Sequence, residues 1–168
     1  MSVDYAIANT ANSYIQGGLE IITSKSGGNV TVTAKLYMRR TNNYSGSTYD
    51  SNVSRSITID GTTTSGSGAV TVAGGQQNVW QGPILTASKT FSGSARNITI
   101  SWATSGAAST NLNGSGSTGF SVPDGYVAPS GGYVNVISKT YNSVTAKVGV
   151  ASFGTRNTNK NLELKILE

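Results

Sequence analysis

Val30-Thr31-Val32-Thr33-Ala34-Lys35-Leu36-Tyr37-Met38 alternates apolar and polar side chains without a break, and Arg39-Arg40 ends the run. In an extended strand successive side chains point to opposite faces. The period of two therefore puts Val30, Val32, Ala34, Leu36 and Met38 on one face, with Thr31, Thr33, Lys35, Tyr37 and Arg39 on the other. One face needs a second layer to cover it, and the other suits water.

The same pattern recurs outward from this run. Val53, Arg55, Ile57 and Ile59 alternate with polar residues and end at Asp60-Gly61, a turn signal. Val70 and Val72 form a shorter case, as do Phe120 and Val122. Ile98, Ile100 and Trp102 alternate with Asn97, Thr99 and Ser101, which makes Trp102 a core residue. Upstream, residues 14–23 read as a strand with Ile15, Leu19 and Ile21 facing inward. Ile84 and Thr86 read as another, and Pro83 assigns it to an edge or a bulge because proline cannot donate to a ladder. Turn-forming clusters separate these runs: Ser26-Gly27-Gly28-Asn29, Asn42-Asn43-Tyr44-Ser45-Gly46, 62–68, Gly74-Gly75, Ser92-Gly93, and a long hairpin loop over 111–119. Short strands, even spacing and one-sided alternation predict an all-β chain, with an antiparallel β-sandwich over 1–124.

A second part follows the connector 123–132, which holds two of the three prolines. Val134 and Val136, then Val144, Ala146, Val148 and Val150, then Leu162, Leu164 and Ile166 give three more alternating runs. Three strands are too few for an independent sandwich. Residues 125–168 are therefore expected either to pack on the first domain or to be a truncated Ig-like or fibronectin III-like module. Leu167-Glu168 has the form of a tag junction, which would make the chain a piece of a longer protein.

Composition narrows the chemistry. Gly, Ser, Thr and Asn supply 81 of the 168 residues, and Cys and His are absent. Without cysteine there is no disulfide scaffold, thiol nucleophile or zinc-thiolate site. Without histidine the usual general base and the commonest metal ligand are missing. The net charge is +5, but the 12 Lys and Arg are dispersed, and no basic run marks nucleic-acid binding. No segment reaches the roughly 20 apolar residues that span a bilayer. Residues 1–7 lack the basic and apolar regions of a secretory signal.

Leu19-Glu20-Ile21, the Gly/Ser turn, the run from Val30 to Arg40 and the end Ser56-Ile57-Thr58-Ile59-Asp60-Gly61 together resemble the β-sandwich modules of minor structural proteins in siphophage tails, of the kind infecting streptococci. The second part, with Ala128-Pro129-Ser130, Val134 to Lys139, Asn142 to Val148 and Ser152-Phe153-Gly154, resembles the opening strands of an Ig-like or fibronectin III-like module. The resemblance implies a non-enzymatic virion protein that spaces or displays a host-contacting region. Its partners would be other tail proteins or further modules of the same polypeptide, and bacterial wall polysaccharide. It implies no catalytic residue, cofactor, nucleic acid or membrane partner.

The residues themselves agree that catalysis is a poor expectation. The acids Asp4, Glu20, Asp50, Asp60, Asp124, Glu163 and Glu168 fall in no paired-carboxylate motif. Asp50 and Asn52 are too isolated for a calcium loop, so no metal site is expected. Gly114-Ser115-Gly116 lies in polar sequence and lacks the strand-to-helix setting of a nucleophile elbow. Aromatics beside amides are the better signal, because sugar rings stack on aromatic faces while amides hydrogen-bond their hydroxyls. Tyr44 and Tyr49 flank Ser45-Gly46-Ser47-Thr48, and Trp80 sits among Gln76, Gln77, Asn78 and Gln81. Tyr44, Tyr49, Trp80, Gln77 and Gln81 are the candidate glycan contacts, with Trp80 alternatively a core residue. A carbohydrate-binding module of a cell-surface or wall-degrading enzyme is the rival to the tail-module reading.

Overall fold

The run 30–40 lies within an inner strand of one sheet of the sandwich. In the computed structural model, residues 2–125 are described in full, together with the backbone of two later strands over 130–140 and 143–152. The elements are β1 (Tyr5–Asn9), β2 (Ile15–Ser26), β3 (Asn29–Arg40), β4 (Thr48–Ile59), β5 (Thr62–Val72), β6 (Gln81–Ser92), β7 (Arg96–Gly106), a single 3-10 turn (Thr110–Leu112), β8 (Gly114–Val122), β9 (Ser130–Thr140) and β10 (Ser143–Ser152). No α-helix occurs among the described residues. β1-β2-β3-β6 form one four-stranded sheet and β5-β4-β7-β8 the other, all antiparallel. The result is an antiparallel β-sandwich.

The alternation in sequence becomes the alternation in burial. Val30, Val32, Ala34, Leu36 and Met38 of β3 are buried, as are Ile57 and Ile59 of β4 and Ile98, Ile100 and Trp102 of β7. The main cluster joins all of these except Met38 to Leu19, Ala87, Phe91 and Val122. A second cluster of Ile15, Met38, Val53, Val70, Val72 and Leu112 fills one end of the sandwich. Two hairpins fix the register: Gly27-Gly28 between β2 and β3, and Asp60-Gly61 between β4 and β5. Both central residues have positive φ in each turn (56° and 84°, 47° and 77°). That conformation suits the right-handed twist of the flanking strands, and it selects glycine and aspartate at those positions. β6 lies at the sheet edge, and its pairing with β3 is irregular around Pro83, as expected for a residue with no N–H to donate.

Two glycine-rich stretches expected as turns are strands instead. Residues 62–68 continue directly out of the Asp60-Gly61 turn as β5, and 114–119 belong to β8 rather than to a hairpin loop. The physical reason is the bulk of the residues opposite. Gly66 pairs with Arg55, which points inward, and a β-carbon at Gly68 would come within 3.3 Å of the Arg55 guanidinium. Gly116 pairs with Trp102, and a β-carbon there would come within 2.6 Å of the indole nitrogen. These glycines therefore make room for a large partner while the backbone ladder continues.

Trp102 ties the two sheets together. Its ring lies against Gly17 of β2, where a β-carbon would come within 2.6 Å of Cζ2. Its indole N–H donates to the Ala6 carbonyl at 2.8 Å. A bulge in β1 aims that carbonyl inward, and Ala6 adopts φ 49° to do so. An L-residue in that region costs roughly 1–2 kcal/mol, which the buried hydrogen bond offsets.

After the sandwich, β9 and β10 pair as an antiparallel hairpin, forming a two-stranded sheet of their own. The expected strand around Leu162, Leu164 and Ile166 lies outside the described residues.

Gly17→Ala is expected to cost about 1–3 kcal/mol by overpacking against the indole. Trp102→Phe is expected to cost about 2–4 kcal/mol, because it leaves a void and an unpaired Ala6 carbonyl. Urea unfolding followed by far-UV circular dichroism measures both, and midpoints equal to the parent chain would refute this packing.

Candidate functional site

The second apolar cluster ends at a mouth where three chain segments meet. β3 finishes there with Arg40 and runs into the loop 41–47; the β1–β2 turn and the β7–β8 connection close the other sides. Between them is an open cleft of about 490 Å³. Tyr14, Tyr44 and Tyr49 stand around it, 54%, 60% and 58% exposed. Asn12, Asn42 and Asn111 add amides, and Ser47, Thr48 and Ser109 add hydroxyls.

Ile15 and Leu112 anchor two of the walls in the second cluster, and hydrogen bonds tie the walls to one another. In the β1–β2 turn, the Asn12 carboxamide accepts from the Tyr14 N–H at 3.0 Å, and the Tyr14 carbonyl accepts from the Thr41 N–H at 2.8 Å. That turn is tied to the opposite wall by Thr10, whose hydroxyl donates to the Asn111 carbonyl at 2.7 Å, and by Ala11 N–H to the Asn113 carbonyl at 2.7 Å. Tyr44 is braced by Gly46, where a β-carbon would meet the phenol ring, and by the Gly75 N–H on its carbonyl at 2.9 Å.

Asp50 sets the third wall. It is buried, and its carboxylate accepts from the backbone N–H groups of Asn52 (2.9 Å), Ala108 (2.9 Å) and Ser109 (2.7 Å). The bonds from Asn52 and Ser109, then that from Ala108, hold its carboxyl below the usual value of 3.8, against burial, which acts the other way. With its oxygens committed to backbone donors, Asp50 shapes the 106–111 segment.

Arg40 forms the floor. It continues the inward row of Val30 to Met38 by one more step and is only 3% exposed. One terminal nitrogen donates to the Thr48 hydroxyl at 2.6 Å and the other to Asn42 Oδ1 at 3.4 Å. The guanidinium carbon lies 5.3 Å from the Tyr44 ring centroid. Its Nε has no partner, and among the described residues no carboxylate forms an ion pair with it.

Of the five residues expected from sequence, Tyr44 and Tyr49 line this cleft and the other three do not. Trp80 packs on the outer face of the first sheet over Gly18, with the Arg39 guanidinium 4.4 Å from its ring centroid. Arg39 is also bound to Gln16 Oε1 at 3.0 and 2.8 Å. Gln77 donates to the Thr41 carbonyl at 2.9 Å, and Gln81 accepts from the Ala73 N–H at 2.8 Å, so both amides brace loops. A second concavity of about 500 Å³ lies over the other sheet, lined by serines of β4, β5 and β7 with Arg55, and it holds no aromatic ring. Comparison with protein-family models and with curated proteins found no match.

Asp50→Asn is expected to flatten the acid limb of the stability profile. The carboxylate's contribution is complete above its ordinary value of 3.8 and is lost as pH falls through the lower folded value. The parent and the variant should therefore differ in unfolding midpoint at pH 7, and the difference should shrink as pH falls through the lowered folded value. A constant difference across that range would show that the Asp50 charge does not hold the loop.

Proposed function

We propose that the chain is a non-enzymatic module that contacts saccharide through the tyrosine-rimmed cleft, and that it works on a phage tail, where the sandwich spaces or displays a host-contacting surface. The observation that carries the reading is the gathering of Tyr14, Tyr44 and Tyr49 around one cleft also lined by Asn12, Asn42 and Asn111. Phenol rings offer flat apolar faces with a polar edge. Carboxamides offer both donors and acceptors. This combination matches a pyranose ring, which has apolar C–H faces and a girdle of hydroxyls. The absence of His and Cys from the sequence, and the commitment of Asp50 to backbone donors, leave the cleft without an obvious proton-transfer pair. The tail assignment draws its support from the strand pattern of residues 19–61.

The test is a glycan array of bacterial wall polysaccharides probed with the parent chain and with the Tyr44→Ala/Tyr49→Ala double variant. The parent should bind at least one wall polysaccharide. The double variant should bind about tenfold or more weakly with an unchanged circular dichroism spectrum, since stacked rings contribute on the order of 1–2 kcal/mol each. Absence of binding by the parent, or equal binding by the variant, would overturn the reading.

A further inference from the structure

We infer that the saccharide this cleft takes carries an oxyanion substituent, a carboxylate or a phosphate, and that Arg40 is its counter-charge. The inference rests on the saccharide reading and goes beyond it by naming the ligand's charge.

Arginine is a permanent cation with five N–H donors in a fixed fork. Buried charges are ordinarily paired, because desolvation of an unpaired ion is costly. Two other cations of the sandwich, both lysines, meet this with a carboxylate. Lys35 pairs with Glu20 at 3.4 Å and Lys89 with Asp60 at 3.3 Å. Arg39, the immediate neighbour, places its guanidinium between Gln16 and Trp80 on the outer face.

Among the described residues Arg40 is the one buried cation. It is 97% buried by the count of its own exposed surface (3%), yet its partners are a hydroxyl, a distant carboxamide oxygen and a ring face, all neutral. Its Nε is buried with no acceptor at all. Asp50, the buried acid of the same end of the sandwich, gives its oxygens to three backbone N–H groups instead. The charge on the cleft floor is thus left for something that enters the cleft. A planar oxyanion can accept two parallel N–H bonds from a guanidinium, which is stronger and more directional than a bond to a neutral hydroxyl. The tyrosines above would hold the sugar ring that carries the group.

The Arg55 guanidinium serves as the control. It also has a buried Nε without a partner, but its side chain points between the sheets from β4 and is not among the residues that line the tyrosine cleft. Replacing it removes the same unit of charge from the molecule without touching the cleft.

The experiment is calorimetric titration of the parent, Arg40→Gln and Arg55→Gln with three oligosaccharides of equal length: a neutral one, a uronate-containing one and a phosphate-substituted one. The parent should bind one anionic sugar about tenfold or more tightly than the neutral one, the scale of a charge-assisted hydrogen bond, and which one identifies the oxyanion. Arg40→Gln should erase that preference and Arg55→Gln should keep it. Equal affinity of the parent for all three, or a preference retained in Arg40→Gln, would overturn the inference while leaving the saccharide reading intact. A parallel loss of neutral and anionic binding in Arg40→Gln would make Arg40 a structural residue and would also overturn it. Failure of the parent to bind any saccharide would overturn both. Should Arg40→Gln not fold, the ratio in the parent at low and high salt decides: a preference that shrinks with salt supports the charge, and one that does not contradicts it.

Discussion

Trp102 can lie between the two sheets only because three backbone positions yield to it. Gly17 and Gly116 omit the β-carbons that would strike the ring, and Ala6 takes a left-handed conformation to present its carbonyl to the indole N–H. One side chain of β7 thereby fixes the approach of β2 from the facing sheet, of β8 beside it, and of β1 at the edge. Because the contact is both a close steric fit and a directional hydrogen bond, it sets spacing and register together. Alternation alone would bury the same apolar residues but would leave the sheets free to slide.

The cleft depends on that frame. With the main cluster closed around Trp102, the inward row of β3 must end at the mouth of the sandwich, and the next inward position after Met38 is Arg40. Beyond Leu112, which seats the β7–β8 connection in the second cluster, the loops that surround it are ordered by polar bonds: Thr10 to Asn111, Asn12 to Tyr14, and Asp50 to the 106–111 segment. A rim ordered this way can keep its aromatic rings exposed, because the rings are not needed to stabilise the walls.

The strand pattern was legible wherever apolar residues alternate, as in 30–38, 53–59 and 98–102, because burial of one face leaves a period of two in the sequence. It failed where the inward residue is glycine. Over 62–68 and 114–119 the composition reads as loop, while the reason for each glycine is a bulky side chain on the neighbouring strand, Arg55 or Trp102, and that pairing is not encoded locally. The site divides in the same way. Tyr44 and Tyr49 stand out within one loop and the strand that follows it. Arg40 was readable by extending the alternation of β3 by one residue. Tyr14, Asn12 and Asn111 reach the cleft through contacts between distant segments, Tyr14 with Thr41 and Thr10 with Asn111, so nothing nearby in the sequence marks them. Trp80 drew attention among its amides, but Gly18 opens a place for it on the outer sheet face.

The proposed saccharide binding is confined to the mouth of the sandwich. The most direct test is nuclear magnetic resonance with the full chain and a bound wall oligosaccharide, following the tyrosine rings and the arginine Nε–H signals. Shifts are expected at Tyr14, Tyr44, Tyr49 and Arg40, with Trp80 and Arg55 unmoved. Shifts centred on Trp80 and Arg39, or on the serine-lined face around Arg55, with the three tyrosines silent, would contradict it.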